Sequence, residues 1–326
     1  MIKKHPVRKE SYSINKLAFC SAIGLLVLCS GLNPAQAQTK EEPFILVLGV
    51  AQDAGYPQAG CYEPRCTPAW EDANLKQTAT SLAVVNPTAK KTILFEATPH
   101  LPEQLYALHK VAPSDEYQLS GVFLTHAHIG HYTGLMYFGH EVQGSKNVPV
   151  FVMPRMQEFL SSNGPWSQLV ELENIQLKPL RHKQPQKLEQ ISVTPFLVPH
   201  RDEYSETVGY TIEGPSKTAV FIPDINKWEK WDQSLIKMIE SVDYALIDAT
   251  FYGQGELPIR DMSQMPHPLV TDTMAKLESL SAEQKSKVWF IHINHTNPLL
   301  DENSDASKEV VSKGFNVARE GLRLPL

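Results

Sequence analysis

The stretch Thr125-His126-Ala127-His128-Ile129-Gly130-His131 places three histidines within six residues, directly after the apolar run Gly121–Leu124. Imidazole nitrogen is a common ligand for zinc and other first-row metals. At i and i+2 two rings can converge on one ion, and a third at i+5 can face a neighbouring ion. A surface histidine cluster without metal is the alternative. Three imidazoles at a strand end are hard to explain as packing, whereas strand ends and the loops after them are where chemistry is presented.

Matching side chains recur along the chain, most of them directly after an apolar run. His200 follows Phe196–Pro199, Asp224 follows Val220–Pro223, and Asp248 follows Tyr244–Ile247. His267 sits in Met265-Pro266-His267-Pro268, while His292 and His295 follow Val288–Ile291. Taken singly, each would be a cap, a turn residue or a surface polar group; His267 in its Pro-rich loop reads equally well as a turn residue. Together they form a His/Asp set at one edge of a sheet, which is what a metal-dependent hydrolase needs.

The elements that must position this set are readable as alternating apolar runs and helical spacings. Phe44–Val50, Thr80–Val85, Thr92–Phe95, Gly121–Thr125 and Val148–Val152 read as strands, with helical spacing over Leu101–Val111 and from Pro154 to Leu160. The second half repeats the rhythm with strands at Ile191–Val198, Thr207–Ile212, Ala219–Ile222, Ala245–Ile247 and Val288–Ile293, and a helix over Thr271–Leu280. Strands followed by helices in both halves predict a sheet-on-sheet core with helices outside. With no evident linker or short repeat, one domain over residues 38–326 is expected.

The first 37 residues read as a secretory signal peptide. Lys3, Lys4, Arg8, Lys9 and Lys16 make a basic region, Leu17–Leu28 an apolar one, and Ala35-Gln36-Ala37 an A-x-A cleavage site. The apolar run is short for a membrane span, so a retained anchor is the lesser reading, and a periplasmic or secreted protein is expected. The whole chain of 326 residues has a formal charge of −6; removing residues 1–37 leaves 25 basic and 35 acidic residues, a balance of −10. Such an acidic surface has no electrostatic footprint for nucleic acid, and a small-molecule substrate is the expected partner. Two of the four cysteines, Cys20 and Cys29, leave with the signal, so Cys61 and Cys66 cannot build a disulfide scaffold and a hydrophobic core must do the folding.

The chain resembles the metallo-β-lactamase superfamily, whose signature is His-x-His-x-Asp-His at the end of a strand. It is most similar to the branch containing the coenzyme PQQ synthesis B proteins, and next to the RNase Z and cyclic phosphodiesterase branches. Thr207-Val208-Gly209-Tyr210 and Ile247-Asp248-Ala249-Thr250-Phe251 support that placement. The resemblance implies a four-layer αβ/βα sandwich, two mixed β-sheets flanked by helices, with metals at one rim. It implies that His126, His128, His200 and Asp224 hold a first ion and that His131, Asp224 and His292 hold a second. It further implies that His267 stabilises charge on the transition state or protonates a leaving group; Asp248 reads equally as the group that orients that histidine or as a cap of the segment that follows. Zinc is the expected metal, with manganese or iron compatible with the same donors. Gly130 stands where the family carries an aspartate, so the second site is expected to be one carboxylate short, weakly filled, and improved by Gly130→Asp.

Three readings of Gly60-Cys61-Tyr62-Glu63-Pro64-Arg65-Cys66 stay open: a disulfide, free thiols, or a structural zinc. Related cyclic phosphodiesterases carry a cysteine cluster in this loop completed by a second histidine, which here would be His295, with Glu63 at the position of the middle cysteine. The leading expectation for the whole chain is an exported metal-dependent hydrolase acting on an ester or phosphodiester bond. An iron-dependent oxygenase or oxidoreductase, or a degenerate non-catalytic binding protein, is the alternative.

Overall fold

Strand β1 (Phe44–Gly49) turns Ile45 and Val47 to one face and Leu46 and Leu48 to the other, and all four are buried. A strand with both faces apolar and buried must lie between two layers. The computed structural model, which describes residues 41–257 and 260–326, shows those layers. The expected signal segment and its cleavage point lie outside the described residues.

The remaining strands are β2 (Ser81–Asn86), β3 (Lys91–Phe95), β4 (Gln118–Phe123), β5 (Val148–Val152), β6 (Ile175–Pro179), β7 (Gln186–Leu188), β8 (Ile191–Leu197), β9 (Val208–Glu213), β10 (Thr218–Ile222), β11 (Tyr244–Asp248), β12 (Val288–Ile291), β13 (Asn316–Val317) and β14 (Arg323–Pro325). They form two seven-stranded sheets, in the orders β14-β1-β2-β3-β4-β5-β6 and β13-β12-β11-β10-β9-β8-β7. Each sheet is mixed. In the first, β14, β1, β2 and β3 pair antiparallel and β3 to β6 pair parallel. In the second, β7 to β10 pair antiparallel and β10 to β13 pair parallel. This is the expected αβ/βα sandwich.

Period-two alternation sorts the side chains into three apolar layers. Ile45, Val47, Phe95 and Phe123 of the first sheet meet Val193, Tyr210, Phe221 and Leu246 of the second. Leu46, Leu48, Val122 and Val150 face outward onto helices that contribute Leu101, Leu108, Met156 and Leu160. Val220, Ile222, Ala245 and Ile247 face outward onto Leu235, Ile239, Met274 and Val310. Among the described residues no helix is long and apolar enough to cross a membrane.

Strand direction decides where chemistry can sit. Two antiparallel steps separate β1 from β3, and two separate β8 from β10, so β1, β3 and β4 run one way in their sheet and β8, β10, β11 and β12 one way in theirs. The histidine motif follows β4, His200 follows β8, Asp224 follows β10, Asp248 ends β11 and His292 follows β12. The carboxyl ends of same-direction strands open on one rim, where ligands bind in sheets of this kind. The two sheets are tied together at that rim: Ile293 N–H donates to Val50 O at 2.8 Å and Gln52 N–H donates to Ile293 O at 2.9 Å.

At the centre of the sandwich Phe123 stacks on Phe151 at 4.3 Å and on Phe95 at 5.4 Å, with Tyr210 edge-on at 5.6 Å. Phe123→Ala is expected to lower unfolding free energy by about 3–5 kcal/mol, the ordinary cost of emptying an aromatic core site. Urea denaturation checks it; an unchanged midpoint would mean that this cluster does not hold the sheets together.

Candidate metal centre

Four side chains from three loops converge at the rim. His126, His128, His200 and Asp224 each offer one ligand atom, and those atoms all lie within 4.8 Å of one another. His126 Nε2 is 2.9 Å from His128 Nδ1, and His200 Nε2 is 3.3 Å from the same Nδ1. Asp224 Oδ2 stands 3.4 Å from His126 Nε2 and 3.2 Å from His200 Nε2. It is also 3.9 Å from His131 Nε2, which puts this one oxygen between both halves of the histidine motif.

The opposite nitrogens of most of these rings are held by oxygens. Thr125 Oγ1 is 2.9 Å from His126 Nδ1, Glu203 Oε2 is 3.2 Å from His128 Nε2, and Thr250 Oγ1 is 3.0 Å from His292 Nδ1. The carboxylate of Glu96, fully buried, stands 3.5 Å from His131 Nδ1 as an ion-pair contact. An oxygen that fixes one ring nitrogen sets the tautomer and aims the other nitrogen, the arrangement that orients metal-ligating histidines. The inward atoms His131 Nε2, His292 Nε2 and Asp224 Oδ1 are buried without a hydrogen-bond partner. Unpartnered buried polar atoms are costly, and a cation among them would satisfy them together.

Charge follows the same logic. Burial opposes ionisation of Asp224, but the neighbouring charges of His267 and His200 and the hydrogen bonds from His126 and His200 hold its carboxyl well below the usual carboxylate range. Burial, then the charge of His131, pushes His126 well down, leaving a neutral imidazole free to donate its lone pair. His131 goes the other way: burial opposes it, yet Glu96, Asp53 and Asp224 raise it to about 9. Without metal this pocket of carboxylates therefore takes up protons at neutral pH, and an ion entering it would displace them.

His267 stands at the edge of the cluster. Its Nδ1 is 2.9 Å from Asp248 Oδ2, 3.2 Å from Asp224 Oδ1 and 3.2 Å from Thr250 Oγ1. Burial opposes protonation, but Asp248 and Asp224 push the ring up to about 9. Asp248 could in principle ligate, since one of its oxygens lies within 4.8 Å of ligand atoms from Asp224 and His292. Its oxygens are already committed: Oδ1 accepts from Thr250 N–H at 2.8 Å and Thr250 Oγ1 at 2.7 Å, and Oδ2 accepts from Ile225 N–H at 3.1 Å and from His267. These contacts fix the carboxylate against Nδ1 of His267.

One expectation changes. Cys61 and Cys66 are bonded to each other as a disulfide, so neither offers a thiolate and the structural zinc with His295 is replaced by a covalent staple of the loop. His295 instead lines a surface cavity with Tyr56, Arg65 and Gln77. At Gly130, where a missing carboxylate was expected, the neighbouring group is Asp53, from the loop after β1, and Asp53 groups with His131 and His292 within 4.8 Å. Sequence reasoning missed Asp53, Glu96 and Glu203. Each is a lone acid in a loop or strand end, and the only available signal was that Asp53 and Glu96, like the histidines, follow buried strands.

A family model described as a beta-lactamase superfamily domain matches residues 91–293. Coenzyme PQQ synthesis protein B of Methylobacterium sp. (strain 4-46) is 26% identical over 303 residues, covering 86% of this chain and 99% of that protein. The crystal structure of Zn(2+)-bound PqqB from Methylobacterium extorquens aligns at a TM-score of 0.71 and 23% identity, covering 87% of this chain and 100% of that one. A diphosphatase of the PhnP family aligns at a TM-score of 0.60 and 19% identity, covering 88% and 98%.

The disulfide predicts that a chain lacking residues 1–37, denatured without reductant, shows no titratable thiol, and about two after reduction. Two free thiols together with a stoichiometric zinc that survives mutation of the rim histidines would restore the structural-zinc reading.

Proposed function

Because the chain belongs to the metallo-β-lactamase superfamily, with PQQ synthesis B proteins and hydrolases among its relatives, we propose that it is a metal-dependent hydrolase of small ester or phosphodiester substrates. The observation that carries this reading is the convergence of His126, His128, His200 and Asp224, with the outer nitrogens of His126 and His128 fixed by oxygens. Three imidazoles and a carboxylate suit zinc, and the zinc in the PqqB neighbour supports that choice of metal; manganese and iron accept the same donors. A bound divalent ion would supply a water acidified enough to act as a nucleophile near neutral pH.

The chain's own groups do the rest. Asp224 Oδ2, between the imidazoles of His126, His200 and His131, is placed to accept a hydrogen bond from the attacking water and fix its direction. His267 is raised to about 9, so it carries a proton at neutral pH. Its Nδ1 is committed to Asp248, which leaves Nε2 to give a proton to a departing oxygen, as a general acid does. Thr250 locks the pair from below by donating to Asp248 Oδ1 while contacting the rings of His267 and His292. The acidic balance of the chain favours a small substrate over RNA.

Export is part of the same proposal. It is supported by the basic, apolar and A-x-A pattern of residues 1–37 and by a disulfide that suits an oxidising compartment. Mass spectrometry of the exported protein is expected to give an N-terminus at Gln38; an intact Met1 on that protein would remove this part of the reading.

Two substitutions separate the roles at the rim. His200→Ala is expected to lose bound metal and turnover together with the fold retained, whereas His267→Ala keeps the metal and lowers kcat by about 10²–10⁴-fold, the usual share of a general acid. Elemental analysis and kinetics on a panel of ester and phosphodiester reporters check both. Full metal and full activity in His200→Ala would mean the site is misplaced.

A further inference from the structure

We propose that Asp53 is a metal ligand, supplying from the loop after β1 the second-ion carboxylate that the histidine motif lacks at Gly130. The proposal rests on the reading of the rim as a metal centre and assigns a residue to it that lies outside the motif, more than seventy positions upstream.

Four observations carry it. Asp53 Oδ1 lies 3.7 Å from His131 Nε2, and Asp53, His131 and His292 offer ligand atoms all within 4.8 Å of one another. The two imidazole nitrogens of that group, His131 Nε2 and His292 Nε2, are buried and without hydrogen-bond partners, on side chains 1% and 0% exposed. Such atoms are stable only with a partner, and the carboxylate beside them is too far for a hydrogen bond but at the spacing two ligands take around one ion.

The third observation is steric. A Cβ built on Gly130 would stand 2.4 Å from Asp53 Cα, 2.7 Å from Asp53 Oδ1 and 3.0 Å from Asp53 O. The space that a motif aspartate would enter is thus filled by the backbone and carboxylate of Asp53. The two positions exclude each other: a carboxylate can come from 130 or from 53, and this chain has glycine at one and aspartate at the other. Glycine at 130 is what lets the loop approach so closely.

The fourth is backbone geometry. Asp53 sits at φ +39° and His292 at φ +67°, both in the left-handed region that ordinary side chains avoid. Strain of this kind persists where surrounding structure enforces it, and it clusters at functional sites. Here the enforcement is visible. Ala51 O accepts from Thr80 N–H at 2.8 Å, Gln52 N–H donates to Ile293 O at 2.9 Å, and Gly55 N–H donates to Gln52 O at 2.9 Å. The loop backbone is pinned on both sides of Asp53, which holds its Cα at the rim beside Gly130.

The test counts metal rather than turnover. Chain stripped of metal and titrated with zinc alone is expected to bind two ions at the rim. In Asp53→Asn and Asp53→Ala the first ion should remain and the second should weaken by on the order of 10²-fold or more, since losing even an outer partner of a ligand costs about 10–100-fold. Asp53→Asn preserves shape and the left-handed backbone, so it guards against a folding defect in the alanine variant. Gly130→Asp is expected to destabilise the fold and to lower second-ion binding, because its Cβ meets backbone and not only a side chain. Two ions held as tightly in both Asp53 variants as in the unaltered chain would overturn the role of Asp53 while leaving the metal centre standing, and so would a rise in second-ion affinity in Gly130→Asp. Absence of any rim-bound ion from the unaltered chain would overturn the metal-centre reading itself, and Asp53 with it.

Discussion

A buried carboxylate surrounded by imidazoles sets the terms for this molecule. Asp224 is 3% exposed, and its Oδ2 lies between 3.2 and 3.9 Å from ring nitrogens of His200, His126 and His131. An isolated charge taken out of water costs several kcal/mol unless paired. Everything near the rim supplies that pairing or depends on it. Protons on His131 and His267 offset the anion when no metal is present, and both rings are raised to about 9 by the carboxylates that face them. A divalent ion takes the place of the proton on His131 with more charge, while His267, which is not among the grouped ligand atoms, keeps its own. The site is therefore electrostatically self-consistent with protons or with metal, and unsatisfied with neither.

The scaffold exists to hold that arrangement still. Same-direction strands in two face-to-face sheets bring their carboxyl ends to one rim, so residues from β1, β3, β4, β8, β10, β11 and β12 meet without long loops. The loops that matter are fixed by backbone hydrogen bonds. Ala97 N–H donates to His131 O at 2.9 Å, Gly134 N–H donates to Ala97 O at 2.9 Å, and Val208 N–H donates to Thr125 O at 3.1 Å. The hydroxyl of Tyr210 crosses from the second sheet to donate to Leu124 O, one residue before the motif begins. Ligand groups mounted on rigid strand ends and braced from both sheets are held in geometry before any ligand arrives.

Legibility from sequence followed burial. Strands with long apolar runs, such as Phe44–Gly49 and Val148–Val152, were readable within one or two residues because both faces are buried. Ile175–Pro179 and Gln186–Leu188 were not, since they are short, half-polar strands at sheet edges whose sequences look like loops. The histidine motif was legible because three imidazoles in six residues have no ordinary packing role. Asp53 was hidden for the opposite reason: one aspartate in Gln52-Asp53-Ala54-Gly55 reads as a turn former, and only the approach of the loop after β1 to Gly130 reveals what it faces. Glu96, fully buried behind His131, was hidden as a single acid after a strand. The cysteine loop misled because its spacing and a distant histidine fit a zinc site by resemblance, while Cα atoms 5.9 Å apart suit a bond between the two sulfurs.

The central claim is that these side chains form a metal centre at the rim, built from both sheets. Anomalous diffraction at the zinc edge, from crystals of metal-stripped protein soaked in zinc, locates ions without reference to activity. The account predicts one peak enclosed by His126, His128, His200 and Asp224 and a second between Asp53, His131, His292 and Asp224, separated by about 3.5–4 Å as in two-metal sites. Anomalous density confined to the neighbourhood of Cys61, Cys66 and His295, with an empty rim, would contradict it.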